Sequence, residues 1–320
     1  MGHKSDLDLS AELRNETYLD IFQGIDLQTI SDRPILDIAA RFWDDERYKA
    51  ANKLYLPMRV IDDLVDNRRI DGKISETEKQ QLIFNINEWV EAVTKYPENP
   101  LQQQMNETIR RFKVPLWTIQ AFSESMIYDI HNDSFGTFSD FLRYSEGAAV
   151  ATGSIFAHFC GINKEGETYS LPGFDIQKAT RPMAIFSYLV HIFRDFQKDM
   201  NNNLNYFADD LIAENGLNLQ ILRDIAAGGE IRPGFRELME KYYTYTEYYR
   251  SKARGMLDEI LIYLDPRYQL SLEVLYNLYL QIFERIDVEN GRFTTEELCP
   301  SPEEIKERVN MVVSSFRPKK

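Results

Sequence analysis

Only two cysteines, Cys160 and Cys299, occur in 320 residues, and no CxxC pair is present. A disulfide framework is therefore not expected, and a reducing compartment is. No run of about 18 apolar residues appears, which argues against a membrane span. The opening Met-Gly-His-Lys-Ser-Asp-Leu-Asp lacks the apolar centre of a signal peptide. A cytoplasmic protein is expected, with residues 1–30 as a peripheral segment. Basic residues are in deficit, 37 Lys and Arg against 51 Asp and Glu, for a net charge of −14. That balance excludes nucleic acid as the main partner. A polyanionic substrate would be repelled by the overall field, so it would need a local cationic or metal site. Convincing period-two alternation, internal repeats, low-complexity tracts and long linkers are also missing, so nothing divides the chain or argues for a large sheet.

What is present is helix after helix. Apolar residues recur at three-to-four spacing through 35–67, 76–96, 100–112, 115–132, 137–162, 174–200, 217–227, 232–263, 268–288 and 302–315. Short breakers separate them, such as Pro97-Glu-Asn-Pro100, Gly166 to Gly173 and Glu289-Asn-Gly291. Ser75-Glu-Thr-Glu78 and Ser301-Pro-Glu-Glu304 carry capping-box signals. The reading is one all-α domain over 1–320, and 43% hydrophobic residues can fill its core. The 18 Tyr and 19 Phe suit the wall of an apolar pocket or an ordinary core. The tyrosine-rich stretch Lys241 to Arg250 reads as a half-exposed amphipathic face.

Two segments carry chemistry: Tyr55-Leu-Pro-Met-Arg59-Val-Ile-Asp62-Asp63-Leu-Val-Asp66, and His191-Ile-Phe-Arg194-Asp195-Phe-Gln-Lys198-Asp199. Each puts two aspartates four apart, on one helix face and about 5–6 Å apart at Cβ. Like charges so placed weaken a helix unless something neutralises them. Two pairs about 130 residues apart point to facing carboxylate clusters that share hard cations. Mg2+ takes one or two carboxylates and fills its shell with water and substrate phosphate. Tyr55, Arg59, Asp62 and Asp66 form one helical stripe, and Tyr188, His191, Asp195 and Asp199 form another. Arg194 and Lys198 lie beside the second stripe, where a cation can hold anionic phosphate without competing for the metal. His191 is a candidate metal ligand or phosphate donor. The plainer alternative is a pair of solvated acidic helix faces with Arg neighbours. Pro57 must open the first helix or kink it. The glycines of Tyr144-Ser-Glu-Gly-Ala-Ala-Val-Ala-Thr-Gly153 each cost roughly 1 kcal/mol in a helix, so close approach of another helix or of a substrate chain is expected there.

These landmarks and their spacing resemble the squalene/phytoene synthase family, the head-to-head prenyl synthases of the class I isoprenoid-synthase fold, from about residue 35 to residue 290. The resemblance implies a helical bundle around a central apolar cavity, with both aspartate clusters at its mouth. Asp62, Asp66, Asp195 and Asp199 match metal-binding aspartates, Arg59 and Arg194 match diphosphate-binding arginines, and Tyr55 matches an active-site tyrosine. The implied reaction couples two prenyl diphosphates through a cyclopropyl diphosphate, with Mg2+ and with or without NADPH. A monomer that touches the membrane only peripherally is expected.

The chain also departs from the family's usual pattern. Glu146 stands where a tyrosine is usual, His191 where asparagine is, and Tyr188 where glutamine is. A serine-bearing phosphate site is replaced by Asp32-Arg33-Pro34-Ile35-Leu36, with Arg33 as the substitute donor. Basic residues after the second motif give way to Asn201, Asn202, Asn203 and Asn205. Glu146 is read as a base or further metal ligand, and Tyr188 as a phenol standing in for the lost one. The leading expectation is head-to-head condensation of farnesyl or geranylgeranyl diphosphate. The alternatives are a one-substrate terpene lyase and a non-catalytic prenyl-diphosphate binder.

Overall fold

The computed structural model describes residues 35–70 and 72–319. Helices α1 (Ile35–Ala40) and α2 (Asp45–Ile70) are followed by α3 (Glu76–Thr94), α4 (Pro100–Phe112) and α5 (Leu116–His131). Next come α6 (Phe138–Ser145), a π-helical turn over Glu146–Ala151, and α7 (Thr152–Gly161), which run on as one rod. A hairpin of β1 (Asn163–Glu165) and β2 (Thr168–Ser170) leads to α8 (Ile176–Asn201), α9 (Asp209–Glu214) and α10 (Leu219–Ala226). The chain finishes with α11 (Pro233–Ile260), α12 (Pro266–Phe283), α13 (Thr295–Leu298) and α14 (Pro302–Ser315).

Local chemistry sets many of these boundaries. Ser75 and Glu78, Thr137 and Asp140, and Ser301 and Glu304 close reciprocal capping boxes at the starts of α3, α6 and α14. Asn99 does the same for α4 with Gln102, and Pro100 occupies the first turn, where its missing N–H costs nothing. Pro57 lies inside α2, so the helix runs through it, as α8 does through Pro182. Sequence periodicity joined α1 to α2, but the chain breaks at residues 41–44, where Trp43 turns inward. The breaker at Gly166 holds the small hairpin, whose tip has φ +62° at Gly166, a backbone suited to glycine.

Packing encloses a central cavity. α8 and α11 pack along much of their length, α5 lies on the π-helical turn, and α12 covers α1 and α14. In the tyrosine-rich part of α11, Tyr242 is fully buried and Tyr248 is exposed, which is the amphipathic face expected from sequence. His158 is a packing histidine, its Nε2 2.7 Å from the Phe112 carbonyl oxygen. No helix among the described residues is long and apolar enough to cross a membrane.

The glycine-rich turn serves both of the purposes its sequence suggests. A Cβ on Gly147 would stand 2.1 Å from the Ala121 carbonyl oxygen, so α5 approaches the backbone there. Ala148, Ala149, Thr152 and Gly153 face the cavity instead. Gly147→Ala is expected to destabilise the protein by about 1–3 kcal/mol, because a backbone carbonyl must move to admit the methyl group. A urea unfolding midpoint equal to that of the native protein would overturn this account of the packing.

Candidate active site

The cavity has an open volume of about 310 Å³ and mainly apolar walls. α2 supplies Tyr55, Met58, Arg59, Asp62 and Asp66, and α8 supplies a stripe from Ala179 to His191. The opposite wall comes from Ala253, Leu257 and Ile260 of α11 and Leu272, Leu275 and Tyr279 of α12. One end is therefore polar and the rest is greasy.

At the polar end the two aspartate pairs sense each other. Burial and neighbouring Asp66 push the Asp62 carboxyl up to about 6, against the opposing charge of Arg59. Asp66 is also raised, by burial, while Arg69, Arg59 and Lys198 of the second motif pull it down. Burial and Asp195 raise Asp199 to about 7, and Asp66 of the first motif adds to the rise. Asp195 behaves differently. Burial raises its pKa, but Arg194 donates to it through Nε at 2.9 Å and Nη2 at 2.6 Å, and the net shift is downward.

Arg59 reaches Asp63 at 2.9 Å and Asp62 at 3.4 Å, and its side chain is half exposed. Lys198 is exposed beside Asp199. The His191 ring lies against Tyr279, with centroids 5.4 Å apart. Its Nε2 is sealed from solvent with no partner among the described groups. Burial, reinforced by Arg194, lowers its pKa to about 3, so the imidazole is neutral. Burial is the largest cause that raises Asp62, Asp66 and Asp199, and a hard divalent cation bound by their oxygens would offset that cost. Among the described residues no three His, Cys, Asp or Glu side chains form a ready-made cage. Such a site suits a cation that takes much of its shell from phosphate and water.

Not every residue singled out from sequence comes to this place. Glu146 is absent from the cavity wall; its carboxylate is held by Arg181 Nε at 2.5 Å and by Gln177 at 3.4 Å. A residue clamped outside the cavity is poorly placed as a base within it. Arg33 lies outside the described residues. Tyr188 does line the cavity, and its phenol is paired with that of Tyr144.

Sequence reasoning missed what lies behind Tyr188. Tyr144 donates to Asp129 Oδ2 at 2.6 Å, Asp129 faces Arg69 at 3.1 Å, and Arg69 reaches Asp66 at 3.6 Å. A buried polar chain thus runs from the cavity wall to the first aspartate motif. Tyr206 lines the cavity beside Tyr188, their rings 6.1 Å apart. Two signals were available: Arg69 stands three residues after Asp66 on one helix face, and Asp129 is a lone acid in the apolar run Met126-Ile-Tyr-Asp-Ile130.

A helical bundle around an apolar cavity, with Asp62 and Asp66 on its wall and Asp199 near enough to feel the charge of Asp66, has a fold of the isoprenoid-synthase type. The model of the squalene/phytoene synthase family matches residues 37–304, and the chain belongs to this family. It is 25% identical over 154 residues to a phytoene synthase of Thermus thermophilus, covering 47% of this chain and 48% of that one. A phytoene synthase of Cereibacter sphaeroides is 25% identical over 177 residues, 54% of this chain and 47% of that one. The chain thus spans about half the length of these relatives. Among solved structures, a dehydrosqualene synthase in complex with ligand superposes with TM-score 0.64 at 14% identity, covering 95% of this chain and all of that one. Squalene synthase HpnC from Alicyclobacillus acidocaldarius gives 0.59 at 12% identity, covering 84% and 90%. These two likenesses establish the shared fold.

Proposed function

We propose that the protein condenses two prenyl diphosphates head to head, with the diphosphates at the aspartate pairs and the hydrocarbon chains in the cavity. The observation that carries this reading is the placement of Tyr55, Arg59, Asp62 and Asp66 on the wall of an apolar cavity, with Lys198 and Asp199 of the second motif within electrostatic reach of Asp66. Family membership supports the reaction class.

In this reading one allylic carbon–oxygen bond breaks and diphosphate leaves with the electron pair. The double bond of the second chain then attacks the cation, and proton loss closes a cyclopropyl diphosphate. Mg2+ held by Asp62, Asp66, Asp195 and Asp199, with His191 as a further ligand, would supply charge neutralisation for the leaving group. Arg59, Arg194 and Lys198 bind and orient the diphosphates as point charges and forks. Tyr55, Tyr188 and Tyr206 offer π faces to a cation, and the apolar wall keeps water from quenching it. The Asp129–Tyr144–Tyr188 chain holds the Tyr188 ring in place.

One observation favours the single-substrate lyase as a second reading. A 310 Å³ volume lies at the small end of the ~300–1,000 Å³ usual for ligand sites, which suits one chain better than two. Incubation with farnesyl diphosphate and Mg2+, with and without NADPH, followed by mass spectrometry, separates the readings. A C30 cyclopropyl diphosphate or C30 hydrocarbon is expected. A C15 alcohol or hydrocarbon as the only product would assign the lyase, and a C30 hydrocarbon that needs NADPH would add the reductive step.

A further inference from the structure

We propose that Phe156, braced from behind by Trp43, is the stop that limits the cavity to farnesyl-length chains and excludes geranylgeranyl. The proposal rests on the reading of the cavity as a prenyl-chain site. The direction of the cavity follows from the helices that line it. At the end nearest the aspartate motifs, taken here as the mouth, His191 of α8 meets Tyr279 of α12. Away from the mouth, α8 contributes Ala179 and Thr180, and α12 contributes Leu272, two turns before Tyr279. α7 lies beside α8: a Cβ on Gly153 would meet Thr180 Cγ2 at 3.0 Å and Ala184 Cβ at 3.6 Å. Gly161, at the far end of α7, lies against Phe174 and Pro172, just before α8 begins. Phe156 is one turn beyond Gly153 in that direction, so its ring stands at the closed end.

The ring cannot easily yield. Its centroid is 4.5 Å from that of Trp43. The Trp43 indole donates to Ser271 Oγ at 2.8 Å, and Ser271 donates to the Ala39 carbonyl at 2.7 Å. The Trp43 indole is therefore held by a hydrogen bond to a serine that is itself anchored on the backbone. A buried aromatic pair anchored in this way is a hard boundary, since close-packed interiors have little room to relax.

Length decides which chains meet it. The rise of α8 between His191 and Ala179 is about 18 Å. An extended farnesyl chain is about 14 Å long and a geranylgeranyl chain about 19 Å, from ordinary carbon–carbon bond lengths. The shorter chain fits with a margin of about 4 Å, and the longer one overruns that length by about 1 Å, so its terminal methyl groups meet the Phe156 ring. Phe156→Ala removes six ring carbons, more than that overlap requires.

The test is calorimetric binding of farnesyl and geranylgeranyl diphosphate, in Mg2+, to the native protein and to Phe156→Ala, with product analysis alongside. The native protein is expected to bind farnesyl diphosphate about tenfold or more tightly than geranylgeranyl diphosphate. In Phe156→Ala that ratio should fall to near one through tighter geranylgeranyl binding. Phe156→Leu, a gentler change, should move it part of the way and carries the test if the alanine variant does not fold. Equal native affinities, or a ratio unmoved in a folded variant, would overturn the proposal while leaving the synthase reading standing. The expected ratios without any product would uphold the chain-length stop and remove the synthase reading. Failure of both chains to bind the native protein would overturn the chain-length stop and the synthase reading together.

Discussion

Asp62→Asn and Asp199→Asn are each expected to lower turnover by about 10²–10³-fold, the scale of losing one electrostatic contact to developing charge. The same changes should make the metal-free protein more stable at pH 8. In the folded chain Asp62 is pushed up to about 6 and Asp199 to about 7, from an ordinary 3.8. A carboxyl with a raised folded pKa favours folding when protonated. Its contribution is full below about 3.8 and is lost as pH rises through 6 for Asp62 and 7 for Asp199. Above that range each ionised group opposes folding. At about 1.4 kcal/mol per pKa unit, reduced for partial solvent contact, asparagine should return on the order of 1–2 kcal/mol at pH 8 and almost nothing at pH 4. Thermal melting across that range measures it. Mg2+ should raise the melting temperature of the native protein at pH 8 and do less for either variant. Variants that melt lower than the native protein at pH 8 would remove the claim that these carboxylates are held in strain for a cation.

How much of this was legible in the text depends on the range of the interactions. The helices were legible because spacing and caps are local: the boxes at Ser75 and Ser301 are complete within four residues. The aspartate stripes were legible for the same reason, since each pair belongs to one helix. Periodicity could not see the break between α1 and α2, because Trp43 turns inward toward Ser271, 228 residues away. Nor could it place Glu146. Residue spacing puts that side chain near the cavity, but the π-helical turn and Arg181 hold it elsewhere. The floor at Phe156 and the partners of Asp129 likewise depend on contacts between distant segments. Family resemblance gave the direction of the site, whereas the residues peculiar to this chain needed coordinates.

Arg69→Met is the substitution expected to disturb stability most. Asp129 and Arg69 are nearly closed to solvent, with side-chain exposures of 3% and 6%, and face each other at 3.1 Å. Burial raises Asp129 to about 7, even though Arg69 and the Tyr144 hydroxyl both favour its charged form. Without the guanidinium, ionised Asp129 would be a buried charge with only one phenol to answer it. Removing one partner of such a pair costs about 3–5 kcal/mol. The loss should be largest at pH 8 in urea titrations and smaller at pH 6, because a protonated Asp129 no longer needs the cation. Adding Asp129→Asn should recover much of the loss at pH 8, since the amide oxygen can still accept from Tyr144 and no charge is left unpaired. A double variant as unstable as the single one would mean that Arg69 acts through packing alone. If the pair acts through charge, the double variant should fold well and still turn over slowly. Asp66 would have lost its guanidinium neighbour, and Tyr188 would be held through an amide instead of a carboxylate.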